Sequence, residues 1–227
     1  MEKYKIIIIG AGPSGVSIAY YLEQMKCNYI ILEEGSCGNR WKGQYDCLRL
    51  NMLKQLSYLP NSKMPNSLAS YPLGKDYYNY LIDYVEKNKI KIKEGAKVTS
   101  AEYTNGIWQV ICNQKVIYSE VLILCTGISK PNIPKLSGIE NFNGVVIHSS
   151  EYKNSHKFMN QKVLVVGCGS SGIDIANDLA MNGVDVSICI KKGINIIYRT
   201  NLLGLTQRVK INLFVKQNLF YFAQSND

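Results

Sequence analysis

The chain has 227 residues, enough to bury a sizeable core as one large domain or two small ones. Its 46% apolar and 19% charged residues are ordinary for a soluble globular protein, and no run reaches the roughly 18 uninterrupted apolar residues that a membrane span needs. The net charge of +9 does not by itself make a nucleic-acid binder, because only four of the 26 basic residues are Arg and the lysines are scattered over solvated faces.

At the N-terminus, lysines ahead of an apolar run imitate a signal peptide, but Gly10, Gly12, Pro13 and Gly15 interrupt it. The β-branched run KIIII (5–9) suits a strand buried on both faces, and GAGPSG and a helix from about Pro13 to Met25 follow. Pro13 fits a first helical turn, where its missing N–H would be unpaired anyway. YIIL (29–32) ends in Glu33 and completes a βαβ unit. Residues 35–72 form a long irregular segment, and GKDYYNYLIDYVEKNK (74–89) an amphipathic helix with Tyr77, Tyr80, Leu81, Tyr84 and Val85 on one face. KVTSAEY, GIWQVIC and KVIYSE then read as a β-meander turning at Asn105-Gly106 and Asn113-Gln114, and VLILC (121–125) as a separate buried parallel strand. Pro131, Pro134, Gly138 and Gly144 mark a linker. KVLVV (162–166), GCGSSG, a helix near 170–181 and the strand VDVSICI (184–190) repeat the opening pattern, and 201–222 reads as helical. Seven dispersed cysteines form no CxxC pair and no His/Cys cluster at metal-ligand spacing, which fits a reducing cytosol and a cytoplasmic location.

Each GxGxxG loop has the context that gives it meaning: a strand before, a helix after, and a polar or charged residue closing the next strand. The first Gly makes the turn, the second admits a pyrophosphate, and the third lets helix and strand pack. The phosphates then meet the N–H groups and positive dipole of the helix start. Glu33, eighteen residues after Gly15, stands where a carboxylate accepts from ribose hydroxyls, so the first site wants an unphosphorylated adenosine ribose, as in FAD or NAD. Lys191 and Lys192 close the second copy and would attract a 2′-phosphate, which favours NADPH over NADH.

With these residues in place, FNGVVIHSSEY (142–152) resembles the F-x-G-x-x-x-H-x-x-x-[YF] fingerprint of flavin-containing monooxygenases through Phe142, Gly144, His148 and Tyr152. RWKGQYDCLRLNMLKQLSYLP and SYPLGKDYYNYLIDY resemble segments of the plant YUCCA-type branch, and LCTG (124–127) resembles the interdomain ATG element. The resemblance implies an α/β fold of two Rossmann-like domains: an FAD domain with a β-meander over 1–127, a linker over 128–160 and a partial NADPH domain over 161–227. It implies an enzyme that inserts one oxygen atom from O2 into a small soft nucleophile or keto acid through a C4a-hydroperoxyflavin. His148 is then expected to hold the crossover between domains, with Phe142 and Tyr152 packed around it, and not to act as proton shuttle or metal ligand. Asn51, with Lys54 three residues on, matches the N-x-x-K stretch whose Asn hydrogen-bonds near flavin and nicotinamide, so it is the candidate catalytic residue. The YUCCA branch tends to carry another residue there, which draws this chain toward the general monooxygenases. The candidate cofactor contacts are Gly10, Gly12, Pro13, Ser14, Gly15, Glu33, Arg40, Trp41, Asn51, Val98, Thr126, Gly127, Gly167, Gly169, Ser170, Ser171, Gly172, Lys191 and Lys192.

The family pattern also calls for a return into the flavin domain after residue 200, and none is visible. The expectation is a fragment, a degenerate product, or a chain completed by another chain or by self-association through its apolar C-terminal segment. Alone, it is expected not to sustain oxygenation. A disulfide reductase and a non-catalytic dinucleotide-binding remnant are the alternatives.

Overall fold

The structure, a computed structural model, describes residues 2–127, 131, 133, 134, 136–190 and 212–215. The chain divides into two compact units, Met1–Gly43 with Met52–Lys130, and Gln44–Asn51 with Pro131–Asp227.

The first unit is built on a six-stranded sheet of order β3-β2-β1-β6-β5-β4. β1 (Lys3–Ile9), β2 (Tyr29–Leu32) and β3 (Ile92–Lys93) run parallel. β4 (Val98–Thr104) and β5 (Ile107–Cys112) are antiparallel, as are β5 and β6 (Lys115–Leu124). Ile7, Ile8, Ile31 and Leu32 are buried, as a strand covered on both faces requires. α1 (Pro13–Gln24) buries Val16, Ala19 and Leu22 on one stripe. Both meander turns have two successive positive φ values, 54° and 80° at Asn105-Gly106 and 48° and 65° at Asn113-Gln114, the backbone that matches strand twist.

Two features differ from the sequence expectation. KVIYSE and VLILC are one strand, β6, which pairs antiparallel with β5 over 115–119 and parallel with β1 over 118–124. The two-residue β3 is too short to carry a period.

Residues 52–72 hold few regular elements but many anchors. The helix α3 (Gly74–Lys87, after a four-residue α2, Asn39–Lys42) buries Tyr77, Tyr80, Leu81 and Tyr84. Its Tyr80 hydroxyl accepts from Leu59 N–H at 2.7 Å and donates to Ser62 O at 2.8 Å, and the Tyr84 hydroxyl donates to Pro60 O at 2.9 Å. The buried Lys54 ammonium donates to the carbonyls of Pro65, Asn66 and Leu68 at 3.3, 3.1 and 2.6 Å.

The second unit has a parallel sheet of order β7-β8-β9, from Lys162–Val166, Asp185–Ile190 and Asn212–Val215. The last strand corrects the helical expectation for 201–222 over these four residues. An apolar run has no decisive period, and its parallel pairing with β8 settles the matter. α4 (Ser170–Met181) packs Ile175, Ala176 and Leu179 with Val186, Ile188 and Ile190 in one core, which Tyr45 and Tyr152 join.

Candidate functional site

In the first unit, strand order sets the C-terminal ends of β2, β1 and β6 side by side, and with them Glu33, GAGPSG and Thr126-Gly127. Each glycine of the loop has its own reason. Gly10 turns the chain at φ 104°, and a Cβ there would stand 2.4 Å from Cys125 O. A Cβ on Gly15 would stand 2.1 Å from Gly10 O, so helix and strand close only over glycine. A Cβ on Gly12, by contrast, would meet nothing within 4 Å. α1 starts there with Pro13 in its first turn and no side-chain cap, which leaves the N–H groups of Ser14 and Gly15 without intrahelical acceptors. Glu33 accepts from Ala11 N–H at 2.8 Å through Oε2 and from Gly35 N–H at 2.9 Å through Oε1, so its carboxylate is aimed at the loop.

The second unit repeats this geometry closely. Gly167 has φ 103°, and its N–H donates to Cys189 O at 2.8 Å, as Gly10 N–H donates to Leu32 O at 2.8 Å. A Cβ on Gly172 would stand 2.3 Å from Gly167 O, whereas one on Gly169 would meet nothing within 4 Å. α4 begins at Ser170 and Ser171 without a side-chain cap on Gly169. Superposing the strand registers, Ile9 opposite Leu32 and Val166 opposite Cys189, makes Ile190 the counterpart of Glu33. The second site therefore carries no carboxylate at that position. Lys191 and Lys192 follow directly and lie outside the described residues.

The remaining candidates fall as follows. Val98 opens β4 and packs on the first unit's core, and the adjoining Ala96 N–H donates to Glu33 O at 2.7 Å. Arg40 and Trp41 lie on α2, where the Trp41 ring sits 4.5 Å from that of Tyr77, and Arg40 is exposed. Asn51 is exposed and groups with the second unit, whereas GAGPSG and Glu33 belong to the first.

His148 shapes a turn. Its Nδ1 lies 2.9 Å from Ser150 Oγ and accepts from Ser150 N–H at 3.2 Å, while its own N–H donates to Glu151 Oε1 at 3.0 Å. Phe142 is 58% exposed, and its ring covers Gly144, where a Cβ would stand 2.3 Å from Cζ. Tyr152 is buried, and its hydroxyl donates to Asp178 on α4. Among the described residues no three His, Cys, Asp or Glu side chains form a metal-binding group.

Tyr45 is the residue that sequence reasoning missed. It is buried in the second unit, with its hydroxyl donating to Asp174 Oδ2 at 3.2 Å and hydrogen-bonded to Ser171. Burial first, then the Asp174 charge, pushes its phenol up to about 12. No motif links a tyrosine before the meander to a loop more than a hundred residues later.

The geometry fits a dinucleotide at each loop: open space opposite Gly12 and Gly169, and uncapped helix starts that receive phosphates. Two such units in one chain define the class of proteins with paired Rossmann-type dinucleotide folds. The chain belongs to the pyridine nucleotide-disulphide oxidoreductase family, which matches residues 7–201. Its curated relatives include the probable indole-3-pyruvate monooxygenase YUCCA7 of Arabidopsis thaliana, 32% identical over 224 residues, covering 91% of this chain and 51% of that protein. The chain thus spans about half the length of the curated relatives it matches. Among solved structures, a double mutant of the flavin monooxygenase of Stenotrophomonas maltophilia superposes with a TM-score of 0.80 at 24% identity, covering 87% of this chain and 60% of that one. OTEMO in complex with FAD and NADP gives 0.68 at 21% identity, covering 83% and 39%; both show a shared fold. The resemblance to flavin monooxygenases read from the sequence agrees with these relatives. No helix among the described residues is long and apolar enough to cross a membrane.

Proposed function

We propose that this chain binds FAD at GAGPSG and NADPH at GCGSSG and serves a flavin-dependent monooxygenase that transfers one oxygen atom from O2 to a small soft nucleophile or keto acid. The observation that carries this is the duplicated loop, open at Gly12 and Gly169, with a carboxylate closing one copy and Ile190 followed by two lysines closing the other. FAD supplies the redox chemistry when bound, taking hydride from NADPH and delivering electrons to O2.

The chain's residues do the rest. Ser14 and Gly15 N–H groups receive the FAD pyrophosphate, and Glu33 accepts from ribose hydroxyls with the lone pairs left by Ala11 and Gly35. Thr126 and Gly127 border the same sheet end, with Arg40, Trp41 and Val98 assigned to the flavin by family resemblance. Gly169, Ser170, Ser171 and Gly172 receive the NADPH pyrophosphate. Lys191 and Lys192 attract its 2′-phosphate, and Ile190 sets no charge against it. Asn51 hydrogen-bonds near the flavin and nicotinamide.

Reconstitution with FAD followed by anaerobic titration tests this: NADPH should bleach the flavin at lower concentration than NADH. Lys191→Ala/Lys192→Ala should reduce that preference at least tenfold, since charge-assisted contacts are worth about 1.5–3 kcal/mol each. Equal affinities in the wild type would refute the NADPH assignment, and an oxygenated sulfide or amine product would show that this chain alone sustains oxygenation, against the expectation above.

Disulfide reduction, which the family also covers, is disfavoured by cysteines that form no CxxC pair and by the raised thiols of five of the seven. Burial pushes Cys37 and Cys47 up to about 12 and raises Cys112, Cys125 and Cys168, whereas dithiol exchange needs an accessible thiolate.

A further inference from the structure

Residues 44–51 are flanked in the chain by the first unit but pack with the second. Along α4 they make a series of contacts. Tyr45 donates to Asp174 and meets the Ser171 hydroxyl, and Cys47 Sγ lies 3.9 Å from Asp174 O. Asp46 N–H donates to Lys153 O at 2.9 Å, and Asn154 Nδ2 donates to Asp46 Oδ2 at 2.9 Å. The Tyr45 and Tyr152 rings meet edge-on at 6.3 Å. Asn51 ends the segment.

Two of these contacts bear on the glycine-rich loop. Ser171 lies in the first turn of α4, where the helix dipole draws an anion. Asp174 lies in the next turn, and a carboxylate charge there opposes an incoming phosphate. The Tyr45 hydroxyl addresses both, because it fixes the serine and donates a hydrogen bond to the carboxylate that disperses its charge. We propose that Tyr45 is a positioning residue of the second dinucleotide site, making the affinity of that site depend on residues 44–51 being seated on α4. The proposal rests on GCGSSG being a dinucleotide site, as above. Linkage requires the reverse effect as well: nucleotide binding must stabilise the seated segment, and with it the placement of Asn51, by the same factor.

The test is titration of NADP⁺ into the FAD-reconstituted wild type, Tyr45→Phe, Tyr152→Phe and Tyr45→Phe/Asp174→Asn, with the thermal midpoint of each. Tyr45→Phe should weaken NADP⁺ about tenfold, the scale of a hydrogen bond to a charged group. Asp174→Asn in that background should restore most of the loss, because it removes the carboxylate charge that the Tyr45 hydroxyl disperses. Tyr152→Phe, which keeps its ring against Tyr45 and loses only the bond to Asp178 one turn further on, should lower the midpoint yet leave affinity within twofold. Hydrogen exchange on the unaltered protein needs no variant: NADP⁺ should slow exchange across 45–50. Affinity unchanged in Tyr45→Phe, an equal loss in Tyr152→Phe, or no added protection of 45–50 would overturn the proposal while leaving the dinucleotide site standing. Failure of the wild type to bind NADP⁺ or NADPH would instead refute the site itself, and the role of Tyr45 with it.

Discussion

Gly12 and Gly15 stand three residues apart in one loop and answer to different constraints. The backbone of Gly12, φ −83° and ψ −178°, is one that valine adopts, and the space at its Cβ is open. Gly12→Val should therefore cost no more than about 1 kcal/mol of folding stability, the scale of an N-cap preference, while abolishing flavin retention, since the side chain fills the pyrophosphate position. Gly15→Ala places its Cβ 2.1 Å from a backbone oxygen that cannot swing away. It should cost about 1–3 kcal/mol of stability even without cofactor. Thermal unfolding of the apo forms, beside the flavin spectrum after reconstitution, separates the two. Full flavin retention by Gly12→Val would contradict the cradle. The motif made all these glycines look alike; only the packing around each tells them apart.

Among the elements, residues 52–72 were the least legible, because their order comes from side chains elsewhere in sequence. Tyr80 and Tyr84 could be placed on the inner face of α3 from their spacing, but not the loop carbonyls they hold. Lys54 is read more naturally as a family signature than as what it is here, a buried ammonium with three carbonyl partners. Lys54→Met keeps the apolar stem and removes every donor. It should destabilise the first unit by about 1–3 kcal/mol and expose 60–70 to limited proteolysis at temperatures where the wild type resists. Resistance equal to wild type would show that the tyrosines alone suffice. The β6 strand illustrates a second limit: one edge pairs with β5 along its more polar first half, and the other pairs with β1 where the sequence turns continuously apolar, so one element reads as two.

Over the whole molecule, burial of acidic side chains that stay protonated at neutral pH gives an alkaline limit to stability. The Cys37 and Cys47 thiols rise from 9.0 to about 12, and the Tyr29, Tyr45 and Tyr77 phenols from 10.0 to about 12, in each case chiefly through burial. The unfolded chain loses these protons first, so their contribution is complete below about pH 9 and is lost as pH climbs toward 12. Denaturant midpoints should be flat from pH 7 to 9 and fall steadily above it; a flat profile to pH 11 would refute this. Sequence alone determined the two βαβ units, their loops, the amphipathic α3 and the meander turns, because period, glycine spacing and Asn-Gly chemistry are local and each implies its own backbone. Tertiary structure alone decided that Ile190 is the counterpart of Glu33, that 44–51 lies on α4, that Lys54 is buried and that Asn212–Val215 is a strand. Each of these depends on a partner distant in the chain, and a pairing register or a hydrogen bond between remote residues leaves no trace in the spacing of either one.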